Sequence, residues 1–330
     1  MAEIVLGLGV SHTPMLTLDW SEWRHRAEAD YSNTELNLSD GRFVTYAQLA
    51  AETGSRFTAI ATPEQFEAAA NRCQAWLDRA AEALAQAAPD VVIVVGDDQG
   101  ELFSPANMPA ISIYYGAEVI TNDEYGRKEK PAWMRKMARG YAMDRIHHFP
   151  AAPDLARALI AGLIERHVDV GAAAAVADPA VAGFGHAFGF VAERLYGDRQ
   201  IPMLPILLNT YFPPNVLRSA RVHDIGKAVR ASIEEAPDDL RVAVVASGGL
   251  SHFVVDEALD RQVIAGLSNG DGELLRAVPP GALNSGSSEI LNWIMTAAIA
   301  GGLHLDWVEY EPIRRTPAGT GVGAAFACWR

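Results

Sequence analysis

An α/β fold with parallel strands at its centre is predicted by three features of the chain. Near-continuous apolar runs recur at residues 4–10, 91–96, 203–208 and 242–247, as strands covered on both faces require. Segments with helical spacing separate them, long enough to serve as crossovers between parallel neighbours. The runs end in polar residues that include His12, Asp97-Asp98-Gln99 and His252, at the carboxyl edge where open α/β sheets place their ligands.

The first strand stops at Ser11-His12-Thr13-Pro14, because proline cannot extend a ladder. Residues 18–61 then form a charged stretch of weak period, predicted to be a lid-like or ordered excursion. Thr62-Pro63-Glu64-Gln65 reads as an N-cap, a proline at the first helical position and a capping-box glutamine. Phe66, Ala70, Cys73, Leu77, Ala80 and Leu84 continue it as one apolar face, and Pro89 closes the helix. The next strand, 91–96, ends in the acidic tip Asp97-Asp98-Gln99-Gly100-Glu101. Further strands are predicted at 111–115 and 172–177, and a helix at 153–167. A loose glycine-rich loop, 181–186, leads into a helix through Tyr196. After strand 203–208 come Pro213-Pro214, a helix over 215–235, strand 242–247 and Gly248-Gly249-Leu250-Ser251-His252. Asn284-Ser285-Gly286-Ser287-Ser288 precedes a helix with Glu289 in its first turn, and the tail 317–330 returns as a strand. No repeat or linker interrupts the 330 residues, so one domain is expected.

Composition bounds the function. A formal charge of −14 excludes nucleic acid and anionic membrane surfaces as expected partners, since both need clustered cations. One local exception is Arg127, Lys128, Lys130, Arg135, Lys136, Arg139 and Arg145, interleaved with Trp133 and Tyr141, which could draw in an anionic substrate. Two cysteines, Cys73 and Cys328, exclude a disulfide framework and a cysteine-built metal site. Met1-Ala2-Glu3 leads straight into a strand and no apolar run is of membrane length, so neither a signal nor a span is expected and a cytoplasmic location follows.

The candidate site is the set His12, Asp97, Asp98, Gln99, Glu101, His186, His252 and Glu289, all at strand ends or helix starts. Each alone has a structural explanation as a cap, a helix-dipole partner or a loop histidine. Together they suit a metal held by two histidines and a carboxylate, with another histidine to move protons. His25, His147, His148, His167, His223 and His304 fall in helices or charged loops and are read as structural or solvated.

Gly9-Val10-Ser11-His12-Thr13-Pro14, the run 89–95, Gly248-Gly249-Leu250-Ser251-His252 and Ser285-Gly286-Ser287-Ser288-Glu289 with Trp293 resemble the class III extradiol ring-cleavage dioxygenases. The type case is the catalytic β subunit of protocatechuate 4,5-dioxygenase. The likeness runs in order along almost the whole chain, with 18–61 as an insertion. It implies an αβα domain around a mostly parallel or mixed sheet, an Fe(II) cofactor, and oxygen-dependent cleavage of a catechol. By the same resemblance His12 and Glu289 are metal ligands, His252 is the acid/base and His186 a second catalytic histidine that contacts substrate. Thr13 and Ser251, beside the strand-end histidines, are implied as substrate contacts. A homodimer, or a small accessory subunit over the site, is also implied.

One position departs from the pattern. Gln99 stands where the family has its second metal histidine, and an amide oxygen is the weaker donor. The expected shell is therefore His12, Gln99 and Glu289, with Asp98 or Glu101 as possible further ligands or supports. A similar Asp-Asp-Gln tip and insertion point to the subgroup acting on methoxylated or biphenyl catechols from lignin, with a carboxylated substrate. Two other readings stay open: a non-catalytic binding protein of the same fold, supported by Gln99, and a zinc hydrolase using His12, Asp98 and His252.

Overall fold

In chain order the strands are β1 (Glu3–Val10), β2 (Leu36–Asn37), β3 (Phe43–Val44), β4 (Val91–Asp97), β5 (Ile111–Tyr114), β6 (Glu118–Ile120) and β7 (His148–Pro150). They continue with β8 (Gly171–Ala173), β9 (Met203–Leu208), β10 (Arg241–Ser247), β11 (His252–Val254), β12 (Leu305–Arg314) and β13 (Thr320–Trp329). These come from a computed structural model that describes residues 1–54, 56–237 and 239–330. Nine strands make the central sheet, in the order β11-β13-β1-β10-β4-β9-β5-β8 with β12 paired to β13. β1, β10, β4 and β9 run parallel, while β13 joins β1 and β5 joins β9 antiparallel. The sheet is mixed, and the α/β class read from the sequence holds.

The pleat explains why the central runs are apolar throughout. Val91, Ile93 and Val95 of β4 enter the core on one face, and Val92 and Val94 enter the core on the other; each such burial contributes roughly 1.5–3 kcal/mol. Helices Pro153–Glu165, Ser219–Glu234 and Ile290–Ile299 cover the first face. Helices Pro63–Ala87 and His186–Val191 cover the second. The result is a single αβα domain.

Glycine in β1 has a packing cause. A Cβ on Gly9 would sit 2.1 Å from the Trp293 ring, so only glycine lets helix Ile290–Ile299 lie against the sheet at this depth. That helix carries Glu289 at its amino end.

Several boundaries differ from expectation. The helix expected over 215–235 begins at Ser219, after the Pro213-Pro214 turn has been accommodated. β8 is shorter than 172–177, and the helix from His186 closes in a π turn, Ala192–Tyr196. Thr62 caps helix Pro63–Ala87 by accepting from Gln65 N, whereas the reciprocal capping box is found at Thr45 and Gln48. The 305–314 strand was not anticipated, because Pro312 and alternating charge suit only an edge; β12 is such an edge, paired to β13 alone.

Residues 18–61 hold more regular structure than their weak period suggests: helices Arg24–Tyr31 and Tyr46–Thr53 and the β2-β3 hairpin. Trp23 is fully buried and donates to Met15 O at 2.8 Å. Asp30 accepts from Arg315 at 2.5 and 2.9 Å and from Thr320 Oγ1 at 2.6 Å, which ties the first helix to the β12-β13 hairpin.

Candidate active site

The carboxyl ends of β1, β4 and β10 lie side by side, so the residues that follow them are forced together. His12 follows β1, Asp97 ends β4, and Gly248 and Gly249 follow β10. His186 opens its helix, and Glu289 ends the 3-10 turn Ser285–Glu289. Donor atoms of His12, Asp97, His186 and Glu289 all lie within 4.8 Å of one another, and all four residues are buried.

The His12 tautomer follows from its partners. Ser247 Oγ donates to Ala187 O at 2.6 Å, so at 2.8 Å from His12 Nδ1 it accepts that nitrogen's proton. Nε2 is left as a bare lone pair, buried and without a hydrogen-bond partner. It faces Glu289 Oε2 at 3.5 Å, lone pair against lone pair. A cation between them satisfies both. Burial, with the charge of His186, depresses the His12 pKa to about 3, so a proton does not fill that place. A divalent metal fits it, as do the nitrogen and oxygen donors around it.

His186 is held differently. Burial works against its charge, but Glu101 accepts from His186 Nδ1 at 2.7 Å and from its backbone N–H at 3.1 Å. With Asp97 and Glu289 adding to that field, its pKa rises to about 10 while no cation is present, so a metal bound at Nε2 would have to displace that proton. Glu101, despite burial, is shifted below the usual carboxylate range by the same partnership. A Cβ on Gly185 would fall 1.9 Å from the Glu101 carboxyl, so the loop expected to be loose is tightly packed. The ring of His186 stands edge-on to His12 with centroids 4.6 Å apart, and its Nδ1 bond to Glu101 leaves Nε2 toward the cluster.

His252 presents a base. Its Nδ1 lies 2.9 Å from Leu250 O, a carbonyl that can only accept, so Nε2 is unprotonated and faces Glu289 Oε2 at 3.8 Å. Burial depresses its pKa and keeps the ring neutral. Glu289 Oε2 accepts from Gly249 N at 2.7 Å, which fixes the carboxylate between the two histidines.

The acidic tip divides. Asp97, its pKa raised by burial and by Glu289, is held by Asn292 Nδ2 at 3.3 Å and Gln99 Nε2 at 3.1 Å. Asp98, assigned above as a possible ligand or support, faces away: its oxygens take the amides of Glu101, Leu102 and Phe103 at 2.8–3.0 Å. The zinc-hydrolase set loses its carboxylate with it. Gln99 places its amide nitrogen 3.1 Å from Asp97, 3.3 Å from His186 Nε2 and 3.5 Å from Glu289 Oε1, and in this orientation it donates to the two carboxylates. Ser251 is likewise turned from the site, its hydroxyl donating to Asp260 at 2.7 Å. Thr13 does line the pocket.

That pocket measures about 210 Å³. His12, His186, His252, Gln99 and Glu289 form one end, and Trp133, Met134, Met137 and Tyr125 form an apolar wall. Tyr141 donates to His12 O at 2.5 Å, a hydroxyl kept protonated by burial. Trp133 and Tyr141 were noticed in the sequence only as part of a basic stretch, and Arg26, also in the lining, was not singled out. The cations of that stretch are largely paired: Arg127 with Asp123, Lys130 with Glu124, Lys136 with Glu22 and Arg145 with Asp144.

A family model described as the catalytic LigB subunit of aromatic ring-opening dioxygenase matches residues 55–316. The match includes Asp97, Gln99, His186, His252 and Glu289 and begins after His12. Among curated proteins, the 2,3-dihydroxyphenylpropionate/2,3-dihydroxicinnamic acid 1,2-dioxygenase of Comamonas testosteroni is 26% identical over 167 residues. That alignment spans 50% of this chain and 44% of that enzyme.

Proposed function

The chain belongs to the family of the catalytic LigB subunit of aromatic ring-opening dioxygenases, and from that premise we propose that it is a non-haem Fe(II) extradiol dioxygenase cleaving a single-ring aromatic diol with O2. The observation that carries the reading is the bare Nε2 of His12 opposed to the Glu289 carboxylate. His12, His186 and Glu289 form a two-histidine, one-carboxylate set, the arrangement suited to ferrous iron with open positions. Asp97 borders that set, restrained by Asn292 and Gln99. When bound, the iron supplies a common binding point for diol and dioxygen and the redox chemistry of ring opening.

The protein's own residues do the rest. His252 Nε2 takes the proton of a ring hydroxyl, while Nδ1–H stays on Leu250 O and holds the imidazole in that tautomer. The resulting imidazolium lies beside Glu289, which stabilises it until the proton is returned. Trp133, Met134 and Met137 give the ring an apolar wall and keep water from it. A volume of about 210 Å³ lies below the range of about 300–1,000 Å³ of pockets for larger ligands, which favours one ring over a biphenyl. The buried, unpaired Cys73 and Cys328 are in keeping with a reducing, cytoplasmic setting.

Anaerobic reconstitution with Fe(II), metal analysis and oxygen uptake on a panel of catechols test this. Stoichiometric iron and a ring-opened product are expected, and His252→Ala should lower turnover by about 100- to 10,000-fold with the iron retained. Gln99 at the family's histidine position supports a second reading, a non-catalytic binder; substoichiometric metal and no catechol binding would select it.

A further inference from the structure

We propose that Arg26 is the specificity residue of this pocket, receiving a carboxylate carried by the aromatic ring at the end away from the diol. The proposal rests on the ring-cleavage reading above and adds the residue that receives the carboxylate expected of the substrate.

Arg26 belongs to helix Arg24–Tyr31, outside the residues matched by the family model. It lines the same cavity as His12, His252 and Glu289. Its Nε is buried without a hydrogen-bond partner, and among the described residues no carboxylate lies within ion-pair distance of its guanidinium. The nearest candidate, Asp30, is already engaged on both oxygens by Arg315 and also by Thr320. Burial and the neighbouring Arg315 act against the charge of Arg26 and outweigh the support of Asp30, which lies beyond ion-pair distance. A half-buried guanidinium with no carboxylate in contact costs free energy unless a ligand supplies one.

The chemistry of the group names the ligand. Guanidinium presents a planar fork of donors that matches a carboxylate in two parallel bonds. The carboxylates among the histidines repel an anion unless a metal is bound, so a ring acid turns its carboxylate toward Arg26, the arginine of the same lining. The aromatic wall of Trp133 and Tyr125 lies in the same cavity, positioned to contact the ring.

The test compares protocatechuate with the uncharged 4-methylcatechol on iron-loaded wild type, Arg26→Met and Arg26→Lys. The ratio of their kcat/KM values should fall about 10- to 100-fold in Arg26→Met, through KM of the acid, with partial recovery in Arg26→Lys. An unchanged ratio, or equal loss on both substrates, overturns the role of Arg26 and leaves ring cleavage standing. A second readout needs no turnover: benzoate titrated calorimetrically into metal-free protein should bind about 10-fold more weakly to Arg26→Met. Equal affinity for the two proteins overturns the proposal, whereas a difference, together with no cleavage of any catechol by iron-loaded protein, supports Arg26 and overturns the ring-cleavage reading alone.

Discussion

His12 and His186 stand edge to face, 4.6 Å between ring centroids, and bind protons in opposite ways. His12 rests on a serine hydroxyl that has its own acceptor, and burial drives its pKa down to about 3. His186 is equally buried but rests on the Glu101 carboxylate, and its pKa rises to about 10. Burial alone would lower both. The carboxylate on Nδ1 of His186, helped by Asp97 and Glu289, reverses the sign there, and the resulting charge further lowers His12, so the character of this site resides in groups behind the histidines as much as in the histidines.

The comparison is broken most strongly by removing the carboxylate behind one ring and the hydroxyl behind the other. Glu101→Gln should lower metal affinity or activity by about 10- to 100-fold, the usual cost of losing the group that orients a ligating histidine. Ser247→Ala should cost less, because it removes a neutral acceptor rather than an anion. Metal titrations of the two variants rank them, and a larger loss in Ser247→Ala would reverse the argument. Next comes Gly185→Ala, whose Cβ collides with the Glu101 carboxyl at 1.9 Å. A loss of about 1–3 kcal/mol in chemical denaturation is expected, with His186 loosened as in Glu101→Gln.

A smaller effect sharpens the contrast from the carboxylate side. Glu101, facing an imidazole, is shifted down, whereas Asp260, facing the hydroxyls of Ser251 and Tyr310, is pushed up to about 6 by burial. An aspartate whose folded pKa exceeds its ordinary 3.8 takes up a proton on folding between those values. Its contribution to stability is therefore greatest below about pH 4, declines as pH rises to about 6 and is flat above. The decline is about 3 kcal/mol, at roughly 1.4 kcal/mol for each pKa unit. Denaturation midpoints of wild type and Asp260→Asn across that range check it: the variant should lack this part of the slope, and identical slopes would contradict it.

What the sequence disclosed was what repeats along one segment. Apolar runs, the face of helix Pro63–Ala87 and the strand-end placement of His12, Asp97 and His252 are local patterns and were readable. Asp97 and Asp98 were not separable, because neighbours at a strand end point to opposite sides and only the layers show which side holds the site. Gly185 read as a loop residue, since its close approach to Glu101 joins segments far apart in the chain. The tie of Asp30 to Arg315 spans 285 positions, and with it went the one clue that helix Arg24–Tyr31 reaches the pocket. Gln99 was legible as a departure but not as a donor, because amide orientation depends on the carboxylates around it.

The central claim, that His12 and Glu289 jointly hold a metal ion against which His252 works, is tested most directly by metal content after anaerobic loading with Fe(II), wild type beside Glu289→Ala. The account predicts one tightly held iron per wild-type chain and its loss in the variant with the fold intact by circular dichroism. Wild-type protein that retains no iron, or a variant that retains as much, would contradict it.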